Sequence, residues 1–216
     1  MRTLVTALAT AVVLTAPARA TQTPAAADLA RRIQTHYDTV RDFRADFVQT
    51  HKGPLLPQTS VERGQLVVKK VNRLRVSYTT RPTKEFVADG TDFYAHFVED
   101  KFGTITPLPK AGDSSIALLF LAGRGSLLED FVPSLPAAQP EGRWQVKLTP
   151  KTPQPDFDTL TLTVDRGSLK LSGLMTEDDE AGTSTFEFSD LRENTGVADR
   201  AFAFKFPAGT YYERHR

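Results

Sequence analysis

The stretch "GQLVVKKVNRLRVSY", residues 64–78, decides how the rest of the chain is read. It sets four positive charges, Lys69, Lys70, Arg73 and Arg75, among Leu66, Val67, Val68, Leu74 and Val76. A nucleic-acid patch, a membrane-surface patch and the wet face of a β-hairpin all have this look. Side chains of a strand alternate between two faces. That parity sends Lys69, Arg73 and Arg75 outward, and Leu66, Val68, Lys70, Leu74 and Val76 inward. A hairpin with one solvated and one apolar face is the reading that uses every residue.

Charge over the whole chain argues against the nucleic-acid alternative. The first twenty residues, "MRTLVTALATAVVLTAPARA", carry Arg2, an apolar run from Leu4 to Ala16, and Ala18 and Ala20 flanking Arg19. This is the pattern of a secretory signal cleaved between Ala20 and Thr21. The run is shorter than the roughly 20 residues a retained spanning helix needs. Cleavage would leave residues 21–216 as a single exported domain. Loss of Arg2 and Arg19 turns 27 basic residues into 25 against 26 acids. Phosphate-backbone binding rests on accumulated Lys and Arg contacts, which that balance does not provide. The chain has no cysteine, hence no disulfide and no thiol for lipid attachment, and must be held by its core.

Working outward, residues 24–40 repeat Leu29, Ile33, Tyr37 and Val40 at helical spacing behind Thr23-Pro24, which predicts an amphipathic helix. From residue 42 the period becomes two, with Phe43, Ala45 and Phe47 on one face of "DFRADFVQT". "KEFVA", Asp89-Gly90 and "TDFYAHFV" read as a hairpin on a tight Asp-Gly turn. "RWQVKLT", "TLTLTV", "LKLSGLM", "STFEFS" and "AFAFKF" continue as strands. "DSSIALLFLAG", 113–123, predicts a short and very apolar helix, and "GSLLEDF", 125–131, a further helical turn. Proline-rich connectors are expected at 133–142 and 149–156. The consequence is a mainly β (α+β) chain built on a large antiparallel sheet with one apolar face.

Reaction chemistry has little to stand on. His36, His51, His96 and His215 lie in different elements without metal-ligand spacing. No nucleophile elbow or phosphate-binding loop occurs. An exported lipid hydrolase could be imagined from Ser114 or Ser115 with Asp113, but no histidine is near in sequence. The acidic run "TEDDEAG", 176–182, lacks calcium-loop spacing and reads as a solvated hairpin tip. No enzyme activity, cofactor or metal is expected. What stands out is an apolar sheet face with few helices to cover it.

Across the mature length the chain resembles the LolA family of periplasmic outer-membrane lipoprotein carriers. The matching pieces are "FRADFVQ", "GQLVVKKVNRLRVSY" followed by "RPTKEFVADGTDFY", then "LTPKTPQPDFDTLTLTV" and "STFEFSDLRENTGVADRAFAFKFPAG". The resemblance implies an open, unclosed antiparallel β-barrel of about eleven strands, a half-barrel with a helical lid over an apolar cavity for acyl chains. It implies acylated lipoproteins as cargo, an inner-membrane lipoprotein-releasing ABC transporter as donor, an outer-membrane acceptor or the outer membrane itself as recipient, and a monomer.

Inward parity together with the resemblance nominates Phe47, Leu66, Val68, Leu74, Val76 and Phe93 from the first half as lipid-binding. Trp144, Val146, Leu148, Leu160, Leu162, Phe186 and Phe188 join them from the second half, and Leu118, Leu119 and Leu121 from the lid. In the family, a V-K-R-P-N motif supplies an arginine that ties lid to barrel in the closed form. Here the motif stands as Val68, Lys69, Lys70, Val71 and Asn72, so Lys70 takes the latch position with a point charge in place of a planar fork. A carrier or sensor of another lipid, a glycolipid or a phospholipid, is the alternative on the same fold.

Overall fold

Alternation of apolar and polar side chains at a period of two makes most of this chain one sheet. The computed structural model describes residues 24–54, 59–108, 125–154 and 157–215. Helix α1 spans Ala26–Asp38, followed by β1 (Asp42–Lys52), β2 (Thr59–Lys69), β3 (Arg73–Tyr78), β4 (Lys84–Asp89), β5 (Asp92–Phe97) and β6 (Phe102–Pro107). Then come β7 (Phe131–Ser134), β8 (Arg143–Pro150), β9 (Thr159–Asp165), β10 (Leu171–Asp178), β11 (Gly182–Glu193) and β12 (Tyr211–Arg214). A short 3₁₀ helix, Asp199–Phe202, precedes β12.

These strands form one unclosed, curled twelve-stranded sheet in the order β12-β6-β5-β4-β3-β2-β1-β11-β10-β9-β8-β7. The resemblance implied about eleven strands, and the sheet has twelve, two of them, β7 and β12, only four residues long. Neighbours are antiparallel except β12, which runs parallel to β6. β7 contains Pro133, which the sequence assigned to a connector. Proline has no N–H for a ladder, and an edge strand bonded only to β8 tolerates it.

The buried apolar part of the inner face runs from β4 through β1 and β11 to β7, while β6 turns Thr104 and Thr106 to the same side as Phe102. Leu66, Val68, Leu74 and Val76 are each 1% exposed, and Val146, Leu148 and Leu160 are fully buried. Helix α1 lies over the β7–β8 end and turns Leu29, Ala30 and Ile33 into this core. It starts later than Thr23-Pro24 suggested: Ala25 is the N-cap, with no side-chain capping bond. A helix this short is stabilised mainly by its buried stripe, so the missing cap costs little. Thr23 and the predicted lid helix, 113–123, lie outside the described residues. "GSLLEDF" forms one turn closed by Asp130 N–H to Ser126 C=O at 3.0 Å, and Phe131 already opens β7. Gly64, directly opposite Phe47, permits close strand approach, since a Cβ there would fall 2.3 Å from the Ser77 carbonyl oxygen.

Two expectations change on the outer face. "AFAFKF" is not a strand: after the 3₁₀ turn, residues 203–207 cross the sheet as a strap. Phe202 is buried, while Phe204 and Phe206 pack with Tyr94 and His96, and Phe206 stacks on Tyr212 at 4.9 Å. Phenylalanines alternating in an extended chain look the same whether they fill a ladder or a strap. Nor do Lys69, Arg73 and Arg75 simply meet water. Lys69 Nζ binds Asp199 Oδ1 at 2.6 Å and the Val197 carbonyl at 2.9 Å. Arg73 reaches Asp199 at 3.6 Å, and Arg75 donates to the Ala203 carbonyl at 3.2 Å. They point outward as parity predicts, then clamp the chain's own C-terminal segment.

Candidate ligand-binding face

Antiparallel register brings the inward residues together in rows. Leu66 stands opposite Val76, and Val68 opposite Leu74. Phe47 faces Phe188 across β1 and β11. Trp144, Val146 and Leu148 face Val164, Leu162 and Leu160. Leu174 links the two halves, opposite Leu162 on one side and Phe186 on the other. Phe93 sits opposite Ala88 on the same face and, like Phe188, is only half-buried. All thirteen nominated residues among those described thus share one surface. Leu118, Leu119, Leu121, Ala20 and Thr21 lie outside the described residues.

The aromatic rings form a band across the strands. Phe186 stacks on Phe188 at 6.3 Å and meets Phe47 edge-on at 5.5 Å. Phe47 meets Tyr78 at 5.1 Å, Tyr78 meets Phe86 at 5.9 Å, and Phe86 stacks on Phe93 at 6.0 Å. Phe97 and Phe102 extend the band towards β12. Tyr78, Phe86, Phe97, Phe102 and Leu174 were not singled out from sequence. Parity within "KEFVAD" identifies Phe86 once Ala88 is known to face inward, whereas a register shift between Leu171 and Gly173 breaks the alternation of β10 and hides Leu174.

Between α1 and the sheet lies a small cavity of about 20 Å³, lined by Ile33, Tyr37, Leu127, Leu162, Val164, Leu169 and Leu171. It has room for about one water and is far smaller than the ~300 Å³ at which ligand pockets begin. This part of the apolar face is therefore closed by the helix. Several polar contacts hold that helix down. Lys70 Nζ donates to the Tyr37 carbonyl, one of the last carbonyls of α1, and lies 3.9 Å from the Tyr37 ring centroid. A cation at a helix C-terminus also meets the negative end of the dipole. His36 Nε2 is 3.0 Å from Glu193 Oε1, and Gln34 Oε1 accepts from Leu127 N–H at 2.9 Å.

Burial sets the electrostatics here. Desolvation lowers the Lys70 pKa, and Asp38 partly restores it. Desolvation, with Glu193 adding to it, pushes the Tyr37 hydroxyl well above the usual tyrosine range. Burial tends to raise the Asp42 carboxyl. The Thr195 hydroxyl and the N–H groups of Val197, Thr195 and Gly196 outweigh that and hold it below the ordinary value. Asp42 thereby pins the 194–197 turn, where the strap begins, to the start of β1. Among the described residues no group of three or more His, Cys, Asp or Glu could hold a metal ion. No helix among them is long and apolar enough to cross a membrane.

The family model for outer membrane lipoprotein carrier protein LolA matches residues 38–205. The chain belongs to the LolA family. It is 23% identical to an outer-membrane lipoprotein carrier protein of Chromohalobacter salexigens over 180 residues, 83% of this chain and 84% of that protein. It is 29% identical to one of Nitrosospira multiformis over 182 residues, 82% of this chain and 84% of that protein. In fold it is similar to an uncharacterised conserved protein of Thermus thermophilus. The TM-score is 0.54 and the identity 9%, and the match covers 88% of this chain and 99% of that one. Residues 68–72 fall at the β2–β3 turn, where Lys70 meets the end of α1.

Proposed function

We propose that this protein is a periplasmic carrier that takes the acyl chains of lipoproteins onto the inner face of its sheet. It ferries them from an inner-membrane ABC transporter to the outer membrane or an acceptor there, acting as a monomer. The observation that carries this reading is the broad apolar inner face, from β4 round to β7, of a sheet whose two edges, β7 and β12, stay apart. An acyl chain of roughly 16 carbons resists crossing water by on the order of 10 kcal/mol, at about 0.8 kcal/mol per CH₂. A carrier must hide those chains and later release them. A helix held by a few polar contacts over an apolar face suits both needs, because loading requires only that the helix yield. Phe47, Leu66, Val68, Leu74, Val76 and the aromatic band would line the opened site, with Lys70 as the latch. Acceptance and release then follow from differential affinity for open and closed states, with no covalent step.

The test is to express the tagged protein in a periplasm containing lipoproteins, purify it, and identify its cargo by mass spectrometry of protein and organic extracts. Co-purified triacylated lipoprotein is the expected result. Glycolipid or phospholipid alone would transfer the reading to a carrier of another lipid. A cargo-free protein unable to strip lipoprotein from spheroplasts would refute both.

A further inference from the structure

The apolar inner face ends in a polar row. Beyond Phe43, Ala45 and Phe47, the next inward position of β1 is Gln49; beyond Val68, Leu66 and Gly64, that of β2 is Glu62. On β11, Phe188 and Phe186 give way to Ser184, and β4 opens with Lys84. Tyr78 of β3 keeps its ring in the aromatic band and its hydroxyl at the row. That hydroxyl donates to Gln49 Oε1 at 2.6 Å, and Gln49 Nε2 donates to Ser184 Oγ at 2.8 Å. Lys84 Nζ donates to Glu62 Oε2 at 2.9 Å and lies 4.4 Å from the Tyr78 ring centroid. The adjacent strands β11, β1, β2, β3 and β4 each contribute one member.

Burial grades along the same line. Phe47, Tyr78 and Phe186 are buried, whereas Gln49, Glu62, Lys84 and Ser184 are half-buried. The row therefore marks where the apolar face meets water. Its chemical character is more telling. The row offers amide, hydroxyl and ammonium donors and several acceptors, while Glu62 cancels the charge of Lys84. Burial, reinforced by Glu62, pushes the Tyr78 hydroxyl well above its usual range, so it remains a neutral donor.

We propose that this row is a head-group subsite that selects acylated ligands with an uncharged, hydrogen-bonding head, a glyceryl ester or an amide, and that Glu62 sets the selection by neutralising Lys84. The inference rests on the acyl-carrier reading and adds to it which end of the ligand faces which end of the sheet. A glyceryl ester or amide satisfies donors and acceptors without bringing a charge. A free carboxylate or phosphate would have to displace Glu62 from Lys84 and would face that carboxylate at close range.

The experiment is displacement of an apolar fluorescent probe from the purified protein by monopalmitoylglycerol or by palmitate, which share one chain and differ in the head. The native protein should prefer the monoacylglycerol. Glu62→Gln leaves the Lys84 ammonium uncompensated and should shift the preference towards palmitate by about tenfold, the worth of one charge-assisted hydrogen bond. Glu62→Gln/Lys84→Gln should lose that gain. Melting curves check that both variants fold. Equal binding of both lipids by all three proteins overturns the head-group subsite and leaves the carrier reading standing. Failure of both lipids to displace the probe from the native protein overturns the carrier reading, and the subsite with it.

Discussion

Lys70→Met isolates the contact between the β2–β3 turn and helix α1. Methionine retains the aliphatic stem and its packing but removes the ammonium that donates to the Tyr37 carbonyl and lies over the Tyr37 ring. A hydrogen bond from a charged donor contributes about 1.5–3 kcal/mol, and a cation over a ring about 0.5–1 kcal/mol more. Against this stands the cost of keeping the charge half-buried, which is the cause of the lowered pKa of Lys70. The net loosening is about 1.5 kcal/mol, or about tenfold in the opening equilibrium of α1. Hydrogen–deuterium exchange reads this directly. Amides of α1 should exchange about tenfold faster in the variant, while those of β1 and β11 keep their protection. Acyl-probe release should quicken in step. Unchanged exchange in α1 would refute the tether, and equal acceleration throughout the sheet would show that Lys70 acts on global stability instead.

Two further predictions concern the strap. Asp42→Asn removes a buried carboxylate that accepts from Thr195 N–H at 2.7 Å, Thr195 Oγ1–H at 3.0 Å and Gly196 N–H at 3.2 Å. The expected loss is about 3 kcal/mol, a fall in Tm of about 6–12 °C for a chain of this length. Because the folded pKa of Asp42 lies below the unfolded value of about 3.9, its contribution is complete above that pH and fades as pH falls through the folded value. Urea titrations of native and variant protein should therefore differ at neutral pH and converge in strong acid. Gly103→Ala places a Cβ 2.1 Å from the Phe206 ring and 2.8 Å from the Ala95 carbonyl oxygen. It should cost about 1–3 kcal/mol and open the strap to trypsin at Lys205, with a resistant strap counting against the outer aromatic cluster.

Sequence by itself was enough for the class of structure and for much of its apolar face. Alternation in "RWQVKLT" and "TLTLTV" put Trp144, Val146, Leu148, Leu160 and Leu162 on one side, because strand geometry leaves a side chain only two directions. The Asp89-Gly90 turn marked a hairpin for an equally local reason. Tertiary structure decided what covers each face. That outward Lys69, Arg73 and Arg75 grip residues 197–203 depends on a chain crossing more than a hundred residues later. The same crossing made "AFAFKF" a strap, since an extended segment becomes a strand only when a neighbour offers a ladder. Lys70 belonged to the inner side by parity, yet only the fold brings the end of α1 to it. The polar row of Ser184, Gln49, Glu62, Tyr78 and Lys84 was likewise beyond local reading. Its members come from five strands, and register between strands distant in sequence is set by long-range pairing, not by the residues themselves.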